Sequence, residues 1–339
     1  MDESSPGVAG ALQTADPRPQ PAPDCVATEY GTLGPNSDFA GAAQGANAPR
    51  PLKRSGSASV VAIATGVLLA VLAVNASNAR AAWEHVTSLF SFGKTSAASS
   101  DRDFRQLDRM KPQKQALLLL EMAVGNSENA RDQIFARSDR WRGKLKWDPQ
   151  FAALSRAALN SRDLRVREAG IEAELAAYGL AKNPSAIEYL AQEAQSPDHA
   201  QRIWGLWALG LMANRGIETE RVVEILSSHL KDPDADSRRW AVEGLALVGT
   251  TSTIAPLLQT MHDDASPTVR ERAACSLAES GMLTREQRLT AVPQLVNYTA
   301  DPALDAQTHG WAFQALGDIT QQRLPNDSAA WRTWYQNSR

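Results

Sequence analysis

The chain has 339 residues, 43% of them apolar and 22% charged, with a formal net charge of −3. That balance excludes a wholly disordered polymer, a collagen-like fibre and a disulfide-stapled miniprotein. It also argues against bulk electrostatic attachment to nucleic acid, so no nucleic-acid partner is expected.

Residues 1–54 are rich in Ala, Gly, Pro and Ser, and their large apolar residues stand alone. Such a segment buries too little apolar surface to offset its ordering entropy, which predicts a disordered tail. Residues 58–74 then read ASVVAIATGVLLAVLAV, without a charge. Extended to 57–76, the run approaches the roughly 20 residues that cross a bilayer. Arg50, Lys53 and Arg54 precede it, which favours a cytoplasmic N-terminus. The expectation is a single-pass membrane anchor with the remainder outside the cytoplasm, in the periplasm of a bacterial cell. A signal sequence cut after Ala79-Arg80-Ala81 is one alternative, and a buried soluble helix, which the all-round hydrophobicity disfavours, is another. Residues 77–103 return to Ala, Ser and Asn and are expected as a linker.

From about residue 104 the spacing becomes helical. Pro112 opens a helix carrying Leu117 to Leu120, and Asp148 before Pro149 is an N-cap followed by a helix-opening proline. Between them, Arg137 to Trp147 interleaves basic residues with Trp141 and Trp147. That mixture could touch nucleic acid or lipid headgroups. Asp139 and Asp148 dilute it, so a solvated inter-helix segment is expected.

The chain then repeats itself. Clusters of Asp, Ser and Pro precede arginines 167, 202, 238 and 270, with Gln307 at the corresponding place in a fifth unit. These markers are 35, 36, 32 and 37 residues apart. A period of this length is the signature of stacked helix pairs. Three residues after each marker sits a small residue: Gly170, Gly205, Ala241, Ala273 and Gly310. It would let a neighbouring helix approach closely. The partner helices are expected over 184–194, 218–230, 252–262 and 286–299. The fold class predicted is all-α: a superhelical solenoid over 104–324, with a capping helix over 325–339 that uses Trp331, Trp334 and Tyr335.

The turn-opening Asp-Pro and Ser-Pro pairs, the four marker arginines and the small–apolar pairs resemble the HEAT-repeat families. The resemblance is closest to the short bacterial units grouped with phycobilisome-lyase-like HEAT repeats, and it covers roughly residues 150–320. It implies a fold rather than an activity.

No Gly-rich phosphate loop, nucleophile elbow or paired-histidine motif occurs in the sequence. The densest set of potential ligands, His262-Asp263-Asp264, falls where a helix ends, and helix-ending polar residues explain it. No metal, cofactor, catalytic residue or small-molecule substrate is therefore expected. A protein partner is expected instead, because solenoids expose long surfaces. The candidate contacts are the arginine ladder Arg167, Arg202, Arg238 and Arg270, with Trp204 and Trp240, each two residues beyond a marker. Against this stand acidic partners in the turns for the arginines and the inter-repeat core for the tryptophans. The reading is a non-enzymatic, membrane-anchored scaffold. The alternatives are a tetrapyrrole-binding or attachment protein, implied by the lyase resemblance, and a membrane-tethered regulator.

Overall fold

The computed structural model describes residue 104 and residues 106–338. The tail expected over 1–54, the apolar run 57–76 and the linker 77–103 lie outside the described residues. Among the described residues every regular element is a helix, and no helix is long and apolar enough to cross a membrane. Two compact units divide between residues 188 and 189.

The first unit holds α1 (Pro112–Val124), α2 (Glu128–Trp141), α3 (Pro149–Leu159) and α4 (Leu164–Ala177), and the start of α5 (Pro184–Glu193). Pro112 starts α1 because its fixed φ suits a first turn where no N–H partner is needed. Asp148 starts α3 by accepting from the Phe151 N–H at 2.8 Å. The core gathers Leu119, Leu120, Ile134, Trp141, Phe151 and Val166. Trp141 is fully buried, and its indole N–H donates to Gln115 Oε1 at 2.7 Å. The amide of Gln115 donates in turn to the Leu107 and Met110 carbonyls. The basic stretch is only in part the solvated segment expected: Arg140, Arg142, Lys144 and Lys146 are exposed, whereas Arg137 and Trp141 are buried. Its first part is the end of α2. Arg137 is buried there and pairs with Asp108 at 3.0 Å, and Trp147 packs on Phe151 and Tyr178. A polar partner 26 residues upstream is what allows Trp141 inside.

The second unit completes α5 and adds α6 (His199–Asn214), α7 (Thr219–His229), α8 (Ala235–Val248), α9 (Ile254–Asp263) and α10 (Pro267–Cys275). Then follow α11 (Arg285–Leu289), α12 (Val292–Tyr298), α13 (Ala306–Thr320) and α14 (Ser328–Asn337). Helices α6, α8, α10 and α13 are the first helices of successive repeats, and each packs on the next. Helix α6 is buried without interruption from Ile203 to Ala213, as a helix apolar on nearly all sides must be.

Two expectations need correction. The helix expected over 286–299 is two short helices, α11 and α12. Pro293 has no N–H to offer the Leu289 carbonyl, so the first helix stops and Pro293 serves the first turn of the second. The helix through Arg270 reaches Ser280 as expected, but residues 276–280 are wound as a π-helix. At the C-terminus Asp327 caps α14, and Trp331 is the one fully buried aromatic there; Trp334 and Tyr335 are half-buried.

Candidate interaction surface

The repeat turns are built from one recurring contact. Each marker guanidinium donates to the carbonyl six residues before it: Arg167 to Ser161, Arg202 to Ser196, Arg238 to Asp232 and Arg270 to Asp264. This closes the turn that leads into the first helix. The same side chains reach forward to the next repeat. Arg202 donates to Ser237 Oγ at 2.8 Å, with Asp234 at 3.5 Å. Arg238 makes two bonds to Asp264, at 2.7 and 2.9 Å. Arg270 donates to Asp305 at 2.7 Å and to Thr308 Oγ1 at 3.0 Å. In the first unit Arg131 reaches Asp163 in the same sense.

The aspartates that receive these arginines also start helices. Asp234 accepts from the N–H groups of Asp236 and Ser237, and Asp305 from that of Thr308. The Ser237 hydroxyl beside Asp234 and the Thr308 hydroxyl beside Asp305 hold both carboxyls below the ordinary aspartate value. Burial pushes Asp163 up, but the Arg165 N–H and the Arg131 guanidinium outweigh it and leave it lowered. The hydrogen-bonded Asp264 raises the affinity of Arg238 for its proton.

The tryptophans of the first helices pack inside the array, against the next first helix or against α5. Trp204 and Trp240 are 7% and 5% exposed, too little to present a ring to a partner. Trp204 meets Tyr189 edge-on at 6.1 Å. Trp240 meets Trp207 at 6.0 Å and 85°, and Arg239 lies over the Trp240 ring at 5.3 Å. Arg167, Arg202, Trp204, Arg238, Trp240 and Arg270 are thus engaged inside the turns and the packed array. The structure brings the last three marker arginines into one continuous line of turn contacts, and Arg238 among them also lines a cavity.

Sequence reading missed two contacts of the same array. Glu243 is buried on α8 and pairs with Arg272 of α10, whose Nη2 donates to Oε2 at 2.6 Å while its Nε lies 2.5 Å from Oε1. Helices α6 and α8 approach closely at Gly210 and Gly244: a Cβ on Gly210 would lie 2.4 Å from the Gly244 carbonyl oxygen. Neither falls on the marker offset. A glycine midway along an otherwise apolar helix was the available signal for Gly210. Among the small residues predicted, Gly205 does meet a neighbour, since a Cβ there would lie 2.5 Å from Ala194 N. Gly310 has nothing within 4 Å.

The second helices present the remaining polar surface. Glu220, Glu224, Gln259, Gln294 and Asn297 are exposed on α7, α9 and α12. Between the C-terminal halves of α7 and α9 opens a cavity of about 480 Å³, lined by Ser227, Lys231, Asp232, Pro256, Gln259 and Asp263 among others. The Arg238–Asp264 pair lines it as well. No group of three or more His, Cys, Asp or Glu side chains that could hold a metal occurs among the described residues.

These features are those of stacked helix pairs, and residues 187–278 match the family model for HEAT repeats. The segment is a HEAT-repeat array. No curated protein matches the chain. Among solved structures, the chain is similar to an engineered protein from a structural-genomics consortium at 17% identity. The match covers 61% of this chain and 96% of that one, with a TM-score of 0.30. A designed armadillo repeat protein is also 17% identical, over 62% of this chain and 100% of that one, with a TM-score of 0.29. The HEAT-repeat array has the kind of extended surface on which such repeats bind other proteins.

Proposed function

We propose that the chain is a non-enzymatic scaffold that binds a protein partner along the outward surface of α7, α9 and α12. One observation carries this reading. The first-helix arginines and tryptophans are engaged in the array, whereas the second helices leave Glu220, Glu224 and Gln259 exposed, and Gln259 lines a cavity of about 480 Å³. A partner that inserts a side chain there would meet polar groups from two repeats at once. The apolar run 57–76 would hold the scaffold at a bacterial cytoplasmic membrane, with the repeats on the outer side.

The test is cross-linking of the full chain in membranes, followed by identification of what it captures. E224K and Q259K together should abolish capture of the partner, while R332E on the exposed face of α14 should preserve it. Equal capture by all three chains would refute the surface. Protease treatment of spheroplasts tests the topology. Digestion of the repeats before the membrane is opened supports it, and digestion only afterwards overturns it.

A further inference from the structure

His262 sits at the end of α9, beside the turn that opens the next repeat. Its Nδ1 lies 2.5 Å from Asp263 Oδ1, and its Nε2 lies 3.1 Å from Asp301 Oδ2. Asp301 belongs to the turn before α13, 39 residues further along the chain. An ionised carboxylate only accepts hydrogen bonds, and a neutral imidazole carries a single N–H. A neutral ring therefore donates to one of these aspartates and aims a lone pair at the other. Only the imidazolium satisfies both.

The surroundings hold the ring in place. The Tyr298 ring of α12 lies 5.0 Å away, tilted by 41°, while its hydroxyl donates to the Leu258 carbonyl. His309 on α13 reaches the Asp301 carbonyl at 2.9 Å, so it supports the same turn from the other side. The titratable groups around His262 are thus Asp263 on its own helix, Asp301 on the next turn, Tyr298 on α12 and His309 on α13. The two carboxylates are the ones bonded to the ring.

His199 provides the contrast. It occupies a repeat turn too, and its Nε2 lies 2.9 Å from Asp236. Its Nδ1, however, faces the Arg202 guanidinium at 3.3 Å, with Asp234 further off at 3.5 Å. A neutral ring meets those demands by donating to Asp236 and accepting from Arg202.

We propose that His262 is a proton-operated latch: its imidazolium ties the end of α9 to the Asp301 turn and holds the α12–α13 repeat to the array, and the tie loosens as the ring loses its proton. Hydrogen bonding to Asp263, opposed by burial and reinforced by Asp301, raises the ring above its ordinary value of 6.5. A group raised in the folded state gives stability that is complete below its unfolded value and is lost as pH climbs through the folded one. The latch is therefore closed in mild acid and opens on the alkaline side of 6.5.

Amide exchange of the full chain, read by mass spectrometry from about pH 6 to about pH 8.5, tests this. Protection over residues 298–309, corrected for base-catalysed exchange, should fall across that range. The loss should be about tenfold for each pKa unit by which the folded ring exceeds its unfolded value. H262Q should show no such pH dependence, and H309Q should keep it. D301N leaves the histidine present and removes one carboxylate, so its ring, followed by imidazole proton NMR, should titrate lower than in the parent chain. A flat profile in the parent chain, loss of the profile in H309Q, or an unchanged ring titration in D301N would each overturn the latch.

Discussion

Arg238 and Asp264 meet through two hydrogen bonds of 2.7 and 2.9 Å, 26 residues apart in sequence and on consecutive repeats. The same carboxylate accepts the Ser266 N–H at 2.8 Å at the entrance to α10. One aspartate thus starts its own repeat and anchors the arginine of the repeat before it. The Asp264 side chain is only 4% exposed, so it is ill placed to exchange its partner for water. R238A leaves a buried carboxylate without its cation and should cost about 3 kcal/mol of stability, measured by urea unfolding. The double change R238A with D264N should cost less than the sum of the two single changes, because the cost is shared between contacting residues.

Helix α6 meets α8 at Gly210 and Gly244 without room for a methyl group. G210A should destabilise the chain by about 1–3 kcal/mol through forced separation of the helices. G310A is the matched control. That position is helical and has nothing within 4 Å of the added carbon, so the better helix propensity of alanine should add about 0.5–1 kcal/mol. Thermal unfolding of the two variants should shift in opposite directions.

The periodic part of this fold was legible because its causes are local and recur. Each turn needs a cap, a proline or aspartate start and an arginine that closes back six residues, and all three lie within one short stretch of sequence. Gln307 departs from the marker arginines, so the last unit is recognised by its aspartate start and small residue alone. What stayed hidden depends on residues one or more helices away. Periodicity places Trp204 and Trp240 at the same register, but it does not say that Tyr189 covers one and Trp207 the other. Composition alone made the 137–147 stretch look solvated, whereas Gln115 and Asp108 supply partners that bring Trp141 and Arg137 inside. The ion pair of Glu243 with Arg272 has no counterpart at a fixed offset in every unit, so counting from the markers does not find it.

Acid should weaken the turns in a way that can be assigned. The depressed carboxyl of Asp305 contributes stability above its unfolded value of 3.8, and that contribution is lost as pH falls through the lower folded value. The Thr308 hydroxyl is its first cause. T308V should therefore be less stable than the parent chain at neutral pH, and the gap should narrow as Asp305 is protonated, leaving the part due to the lost Arg270 bond to Thr308 Oγ1. Urea titrations of both chains over a series of pH values from neutral into acid check this; a gap that does not narrow would assign the whole loss to packing and the Arg270 bond instead.

The π-helical end of the fourth repeat depends on one side chain from the following helix. Arg288 donates from Nε to the Leu283 carbonyl at 2.9 Å and from Nη2 to those of Glu279 and Gly281 at 3.0 and 2.9 Å, while Nη1 bonds the Ala278 carbonyl. A helix end leaves its last carbonyls without intrahelical partners, and the wide π turn cannot close them as an α-helical cap would. The guanidinium answers two of them, Ala278 and Glu279, and two carbonyls beyond the helix, Gly281 and Leu283, with a planar fork of donors. Lysine offers charge without that geometry, so R288K should recover little. R288A should lose about 1.5–3 kcal/mol locally, which corresponds to amide exchange over residues 276–283 that is faster by roughly 10- to 100-fold. Exchange over the centre of α6 should stay unchanged, because the four carbonyls that Arg288 bonds all lie within residues 278–283. Equal acceleration in both regions would mean that Arg288 supports the whole array and not this turn alone.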